Sequence, residues 1–336
     1  MNLITGGTGI VGSRLAFDLV KKGGSVRCTK RNGSDKSFIR EIFRFYDLEK
    51  GEDLFQKIEW IDADLLDIYQ LEKALDGIAN VYHTAALVSY HKKDRKNLLE
   101  TNVQGTANLV NVCIGAGIKS FCHLSSVAAL GRPNDSGFTD ETTKWNKAKI
   151  RSNYSLSKYL SEKEVWRGNG EGLKVTIVNP SVILGPAKIH QSSGSLMHLL
   201  KKGVSYYPPG TTGFVDVRDV SKVSIALTEQ EIYSERFIVN SENLSYHNLL
   251  KVAAEIYGNK APKFKVGKFS LELARLADAV RSSLNGNPAK ITSETVKSAV
   301  QANLFSSDKI RSKIGVEFIP VKDSLKYYAS FFEKLA

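Results

Sequence analysis

Cysteine is scarce in this 336-residue chain: Cys28, Cys113 and Cys122 are the three present, and no two are spaced C-x-x-C. A disulfide framework is therefore excluded and a reducing compartment expected. The six histidines, at 83, 91, 123, 190, 198 and 247, are dispersed without the close pairs of a zinc site, so no metal is expected. No apolar run reaches the roughly 18 residues a membrane span needs. The opening MNLIT already reads as a strand, which leaves no room for a secretory signal and makes the cytoplasm the expected location. A long basic run is missing too. The 47 Lys and Arg exceed the 35 Asp and Glu by 12, but they are scattered and not interleaved with aromatics. A solvated basic surface is expected, with no nucleic-acid partner. Internal repeats and low-complexity tracts are also absent.

What the chain has is a rhythm. With 42% hydrophobic and 24% charged residues it has the balance of a globular protein. Short apolar runs (NLIT, SVRCTKR, IEWIDADL, NVYHTAALVS, SFCHLSSVAALG, LKVTIVNPSVIL) alternate with helical periods, of which FIREIFRFYDLEKGEDLFQ is predicted to be one. Such alternation predicts an α/β fold, a doubly wound parallel sheet of Rossmann type with ligands at the carboxyl ends of the strands. After Leu184 the rhythm changes. A Gly/Pro/Ser-rich excursion follows, FVDVRDVSKVSIALTE and RFIVN return to the sheet, and the chain from Ser245 onward is mostly helical with breaks at GNKAPK and NGNPAK. The expected division is a dinucleotide-binding domain over 1–184, to which 213–244 returns. A smaller, mostly helical substrate-binding domain takes 185–212 and 245–336. The amphipathic segment Glu272–Leu284 is expected to pack against the rest of the protein, with a substrate lid and a membrane-surface helix as the other readings.

TGGTGIVG, Thr5–Gly12, lies between the first strand and the first helix. Glycines at 6, 9 and 12 let the backbone turn tightly, approach a pyrophosphate and pack the helix on the sheet, with Ile10 and Val11 opening the helix toward the phosphates. A ribose 2′-hydroxyl is ordinarily met by an acid at the end of the second strand. Here that strand ends in Lys30 and Arg31, whose charge suits a 2′-phosphate, so NADP is expected before NAD.

A tyrosine four residues before a lysine occurs four times: Tyr46–Lys50, Tyr69–Lys73, Tyr154–Lys158 and Tyr159–Lys163. Spacing alone does not select one. Order does: the glycine loop, DADL, HTAALVS, TNVQGT, SSVAALG, YSLSK and NPSVILGP follow one another as in the extended short-chain dehydrogenase/reductases. The chain resembles that family along essentially its whole length. It looks nearest the branch of dihydroflavonol reductases, 3β-hydroxysteroid dehydrogenases and NAD-dependent epimerase/dehydratases. The pattern Y-x-x-S-K-x-x-x-E falls on Tyr154, Ser157, Lys158 and Glu162, and alignment on Gly131 favours Ser126 over Ser125 for the family serine.

The resemblance implies a catalytic set of Ser126, Tyr154 and Lys158, with Asn102 anchoring a water in the proton path. Lys158, one turn from Tyr154, would favour the phenolate of a group whose ordinary pKa is about 10 and would also hold the ribose. It further implies Asp64 and Leu65 beside the adenine (Asp62 competing for the aspartate's place), Thr84, Ala85 and Ala86 lining the cofactor, and Pro180 and Ile183 at the nicotinamide. The expected activity is an NADP-dependent reductase or dehydrogenase acting on a carbonyl/alcohol pair of a small or medium organic molecule, as a homodimer. The alternative, a nucleotide-sugar epimerase or dehydratase, would need a pyrophosphate-binding arginine beside an aromatic such as Tyr206 or Tyr207. Arg218 reads as a scaffold residue, and Val127 stands where a dehydratase would want an acid.

Overall fold

The computed structural model describes residues 1–131, 133, 137–146, 152–189, 192–285 and 291–334. His190 and most of the break at NGNPAK lie outside them.

The first half is a run of βα units. β1 (Asn2–Thr5) leads to α1 (Ile10–Lys21), β2 (Val26–Lys30) to α2 (Ser37–Tyr46) and α3 (Gly51–Gln56), and β3 (Glu59–Asp62) to α4 (Ile68–Leu75). β4 (Asn80–His83) precedes α5 (Arg95–Leu98), which continues through a π-helical turn, Leu99–Gln104, into α6 (Gly105–Gly115). β5 (Ser120–Leu124) and the short β6 (Phe138–Thr139) come before α7 (Asn153–Gly170) and β7 (Val175–Pro180). β1, β2, β3, β4, β5 and β7 pair in parallel, and the chain adds a seventh strand, β11 (Glu235–Val239), beside β7. The order β11-β7-β5-β4-β1-β2-β3 reverses direction between β1 and β4, the switch point of a doubly wound sheet. Both faces are covered, so neighbouring strand residues serve opposite cores. Leu3, Val81, Phe121 and Ile177 pack with α4, α6 and α7, whereas Ile4, Tyr82, Cys122 and Val178 pack with α1 and the elements beyond β7.

Those later elements begin with β8 (Val182–Leu184), α8 (Ser192–Lys202), β9 (Tyr206–Tyr207), β10 (Thr211–Asp216) and α9 (Val217–Glu229). After β11 come β12 (Glu242–Ser245), α10 (Tyr246–Tyr257), β13 (Phe264–Lys265), α11 (Lys268–Asn285), α12 (Ser293–Val300), β14 (Leu304–Phe305), α13 (Asp308–Ile314) and α14 (Val321–Lys334).

Four readings of the sequence are corrected here. The helical segment after β2 is two helices, because Asp47 accepts a hydrogen bond from the Lys50 amide (3.0 Å) and Gly51 lies so close to the Phe43 carbonyl that a Cβ there would collide with it. VTIVNPSVIL is two strands in different sheets: β7 ends at Pro180, and β8 pairs with β10 in a three-stranded sheet completed by β12. Of residues 213–244, therefore, β11 alone rejoins the large sheet, while α9 packs on α1. Finally, α11 packs against α12 with one side, and leaves Phe269, Leu273, Leu276 and Val280 more than half exposed.

Candidate active site

The glycine loop closes on itself through Gly9 N–H to Gly6 O (2.9 Å) and lies over the end of β2, where Thr29 receives the Gly6 and Gly7 amides. Gly6 has φ +70°, and a Cβ there would sit 2.8 Å from the Ala85 Cα; a Cβ on Gly12 would run into the Gly6 carbonyl and the Thr84 hydroxyl. Beneath the loop, a Cβ on Gly7 would strike the Cys28 side chain. Gly9 caps α1 without a side chain, so the first-turn amides of Ile10, Val11 and Gly12 face out of the helix unscreened. Ile10 is half-buried and Val11 buried. This is a cradle that any side chain would fill, and it fits a dinucleotide pyrophosphate.

Around it, Thr84 donates to Thr5 O (2.6 Å), Ala85 is half-buried and Ala86 exposed. At the end of β2, Lys30 is tied up in an ion pair with Asp62 across the β2–β3 pairing, which withdraws it from the 2′-phosphate role expected for both cations. Arg31 is exposed and has no ion-pair partner among the described residues. Asp64 is exposed and turns one oxygen to the Leu66 amide (2.9 Å). The Leu65 side chain is buried against Gly105, so what it can offer an adenine is backbone. Pro180 is buried at the end of β7, and Ile183 is half-buried on β8.

The two tyrosines of α7 have different fates. Ser152 caps the helix by accepting the Ser155 amide (2.8 Å), and the Ser155 hydroxyl donates to Ala128 O (2.5 Å), which pins the first turn of α7 to the turn after β5. Tyr154 is thereby brought beside Ser126. Ser126 also accepts the Ala128 amide (3.1 Å), whereas the buried Ser125 hydroxyl has no hydrogen-bond partner among the described residues. Tyr159, by contrast, stacks on Trp145 with ring centroids 4.3 Å apart and Lys163 over its face, an aromatic packing pair. Tyr46 is half-buried under Arg14 with an unpartnered buried hydroxyl, and Tyr69 is 76% exposed.

Tyr154 is raised above the ordinary phenol range, first by burial and then by Tyr90, whose ring meets it edge-on at 5.8 Å; the neighbouring Ser126 hydroxyl opposes the shift. Before any nicotinamide is bound, then, burial holds a protonated phenol. Lys158 is buried, donates to Leu124 O (2.9 Å), and is lowered to about 8 by burial, with Glu162 resisting.

Glu162 is itself raised, chiefly by burial. Its Oε1 accepts from Asn179 Nδ2 (2.6 Å) and its Oε2 pairs with Arg236 of β11 (3.3 Å). Asn179 Nδ2 also donates to Ser126 O (3.0 Å), so the carboxylate holds the Ser126 backbone through one amide. The sequence pattern flagged Glu162, but nothing in it pointed to Asn179 or Arg236.

Asn102 is buried and densely bonded. Its side chain donates to Leu87 O (2.9 Å) and Ser157 Oγ (2.9 Å) and accepts the Leu87 amide (2.7 Å). The π-helical turn frees its carbonyl, which accepts from Thr106 Oγ1 (2.6 Å) and Ser161 Oγ (2.7 Å). Through these bonds Asn102 ties the loop after β4 to α7. A one-way hydrogen-bond chain reaches it from the glycine loop. The Ala85 amide donates to Thr5 Oγ1 (3.3 Å), which meets His83 Nδ1 (2.7 Å), and His83 Nε2 meets Thr106 Oγ1 (3.0 Å). Because Thr106 spends its proton on Asn102 O, the chain requires neutral His83 with the proton on Nε2. Burial and Lys158 lower His83 to about 3, which keeps it in that form. Such a role for a histidine is invisible in a sequence.

Residues 2–238 match the model of the NAD dependent epimerase/dehydratase family. The chain belongs to that family. Within the family's reach, a candidate dihydroflavonol 4-reductase of Synechocystis sp. is 28% identical, over 98% of this chain and 94% of that protein. Cinnamoyl-CoA reductase 1 of Petunia hybrida is 27% identical, covering 96% of this chain and 89% of its own. Among solved structures, a UDP-glucose 4-epimerase of Thermotoga maritima superposes with a TM-score of 0.77 at 21% identity, over 99% of both chains, a likeness of fold. Family membership makes this chain an NAD(P)-dependent enzyme of the extended short-chain type acting on small molecules. No helix among the described residues is long and apolar enough to cross a membrane, and no cluster of metal-binding side chains occurs among them.

Proposed function

We propose that the protein is an NADP-dependent carbonyl reductase (or, in reverse, an alcohol dehydrogenase) for a small or medium organic substrate, working through Ser126, Tyr154 and Lys158. The observation that carries the reading is the buried Tyr154 phenol, held protonated by its burial, beside Ser126 at the carboxyl end of β5. When bound, the nicotinamide supplies or takes up the hydride. Tyr154 gives its proton to the carbonyl oxygen, and Ser126 steadies that oxygen with a hydrogen bond. Lys158, still mostly charged at neutral pH, favours the phenolate left behind. On this reading residues 1–184 with 213–244 serve the dinucleotide, and 185–212 with 245–336 serve the substrate. Support comes from Tyr90, 40% exposed beside Tyr154 and within electrostatic reach of Tyr246 on α10 and Glu294 on α12.

The epimerase reading loses ground for a specific reason. Arg218 is paired with Asp216 (2.7 Å) and lies over Tyr327 (4.1 Å), so it offers nothing to a nucleotide pyrophosphate. Tyr207 packs on His247, and Tyr206 on Phe264. During turnover of a ketone or aldehyde, absorbance at the reduced-nicotinamide band should fall in step with substrate. A nucleotide sugar converted with no net change in that band would replace the reductase by the epimerase.

Cofactor choice rests on Arg31, since Lys30 is occupied. A charge-assisted hydrogen bond to a 2′-phosphate contributes roughly 1.5–3 kcal/mol, toward the lower end at an exposed site, so NADPH should bind about tenfold more tightly than NADH. Arg31→Ala should erase most of that preference and leave NADH binding nearly unchanged, as isothermal titration of both cofactors would show. Equal affinities in the unaltered protein would rule the NADP assignment out.

A further inference from the structure

α11 is amphipathic in an unusual sense: its apolar stripe points away from the protein. At about 100° per residue, Phe269, Leu273, Leu276 and Val280 fall within about 60° of one another, and all are more than half exposed. Of the partly buried positions, Leu271, Arg275, Asp278 and Ser282 centre on the opposite side and Glu272 lies between the two. The acids of the helix are neutralised within it, Glu272 by Arg275 (2.5 Å) and Asp278 by Arg281 (2.7 Å). Lys260, Lys263 and Lys265 just before the helix and Lys268 at its first position are all exposed, no acid lies between them, and none has an ion-pair partner among the described residues. Phe264 is 57% exposed in their midst, its ring against the equally open Tyr206.

We propose that this face docks the protein on an anionic lipid bilayer, α11 lying in the interface with its Phe269–Val280 stripe toward the acyl chains and the four lysines among the headgroups. Length and composition fit an interfacial helix: 18 residues with one apolar face and flanking aromatics and lysines, and no helix among the described residues fit to span. The charge selects the occupant. A second copy of the chain meeting this face about a two-fold axis would bring a basic cluster with no acid surplus against another such face, a repulsion that an anionic surface turns into attraction. The proposal does not rest on the Ser126, Tyr154 and Lys158 chemistry, although the stripe and the lysines lie within the 245–336 segment assigned to the substrate.

The test is co-sedimentation of the full chain with vesicles of phosphatidylcholine alone and of phosphatidylcholine mixed with phosphatidylglycerol. The expected result is association with the mixed vesicles, weakened by added salt, and little with the neutral ones. Replacing Lys263 and Lys265 together by Gln should lower the partition coefficient about tenfold or more. Leu273→Ser with Leu276→Ser should lower it at least as far, while circular dichroism and dinucleotide binding stay as in the unaltered protein. Because these side chains are exposed, the double variant folds or fails independently of the core, and the lysine pair gives a second reading if it fails. No association with anionic vesicles would overturn the proposal. So would equal association with both vesicle types, or a concentration-dependent dimer that the leucine variant dissolves in a chain that leaves vesicles unbound.

Discussion

Tyr154→Phe should lose on the order of 10²–10⁴ in turnover while still binding the dinucleotide, the usual worth of a positioned proton donor. The substitution removes one oxygen from a ring that Tyr90 and the first turn of α7 hold in place, so the phenyl group should stay where the phenol was. The matched controls are unusually clean. Tyr159→Phe leaves the Trp145 stack intact, Tyr69 is on the surface, and the Tyr46 hydroxyl has no partner to lose. Each should remain within a few-fold of the unaltered enzyme in steady-state assays. A loss at Tyr159 comparable to that at Tyr154 would sink the assignment.

Glu162→Gln should act twice. The amide can present its oxygen to Asn179 or to Arg236 but not to both, so one buried donor is left facing another. Breaking a fully buried ion pair costs about 3–5 kcal/mol; with Arg236 still about a quarter exposed, roughly 2 kcal/mol is expected in denaturant unfolding. The second effect is on Lys158. Glu162 holds its pKa up, so neutralising the carboxylate lets that pKa fall below about 8, and the alkaline limb of the rate profile should move to lower pH. Turnover should also drop roughly tenfold as Ser126 loses its backbone tether. A destabilised variant with an unmoved pH profile would mean Glu162 is scaffold alone.

The parts legible in sequence were those with a period or a steric signature. Short apolar runs such as NLIT, set between helical periods, and the glycines at 6, 9 and 12 announce the sheet and its cradle, because both signals are local. What escaped notice depends on residues that meet only in the fold. Lys30 and Asp62 are 32 positions apart, and Glu162 and Arg236 74; no window of sequence joins them. The break between α2 and α3 hid because both helices turn apolar residues to the same core, so the periodicity runs on through Asp47–Lys50. Amphipathicity identified α11 as a helix, yet a pattern cannot say whether its apolar side faces the protein or the solvent.

The three cysteines give this fold its own chemical clock. Cys28 lies under Gly7 in the core shared by α1, Cys122 is on the same face of β5, and Cys113 sits on α6 in the other core. Burial raises all three thiols, so none presents a thiolate to an alkylating reagent until its surroundings open. The rate at which each is labelled therefore times the opening of one layer of the sandwich, and Cys28 times the lifting of the glycine loop. A bound dinucleotide holding that loop down would slow the first thiol before the third, separating cofactor clamping from global unfolding with no engineered probe.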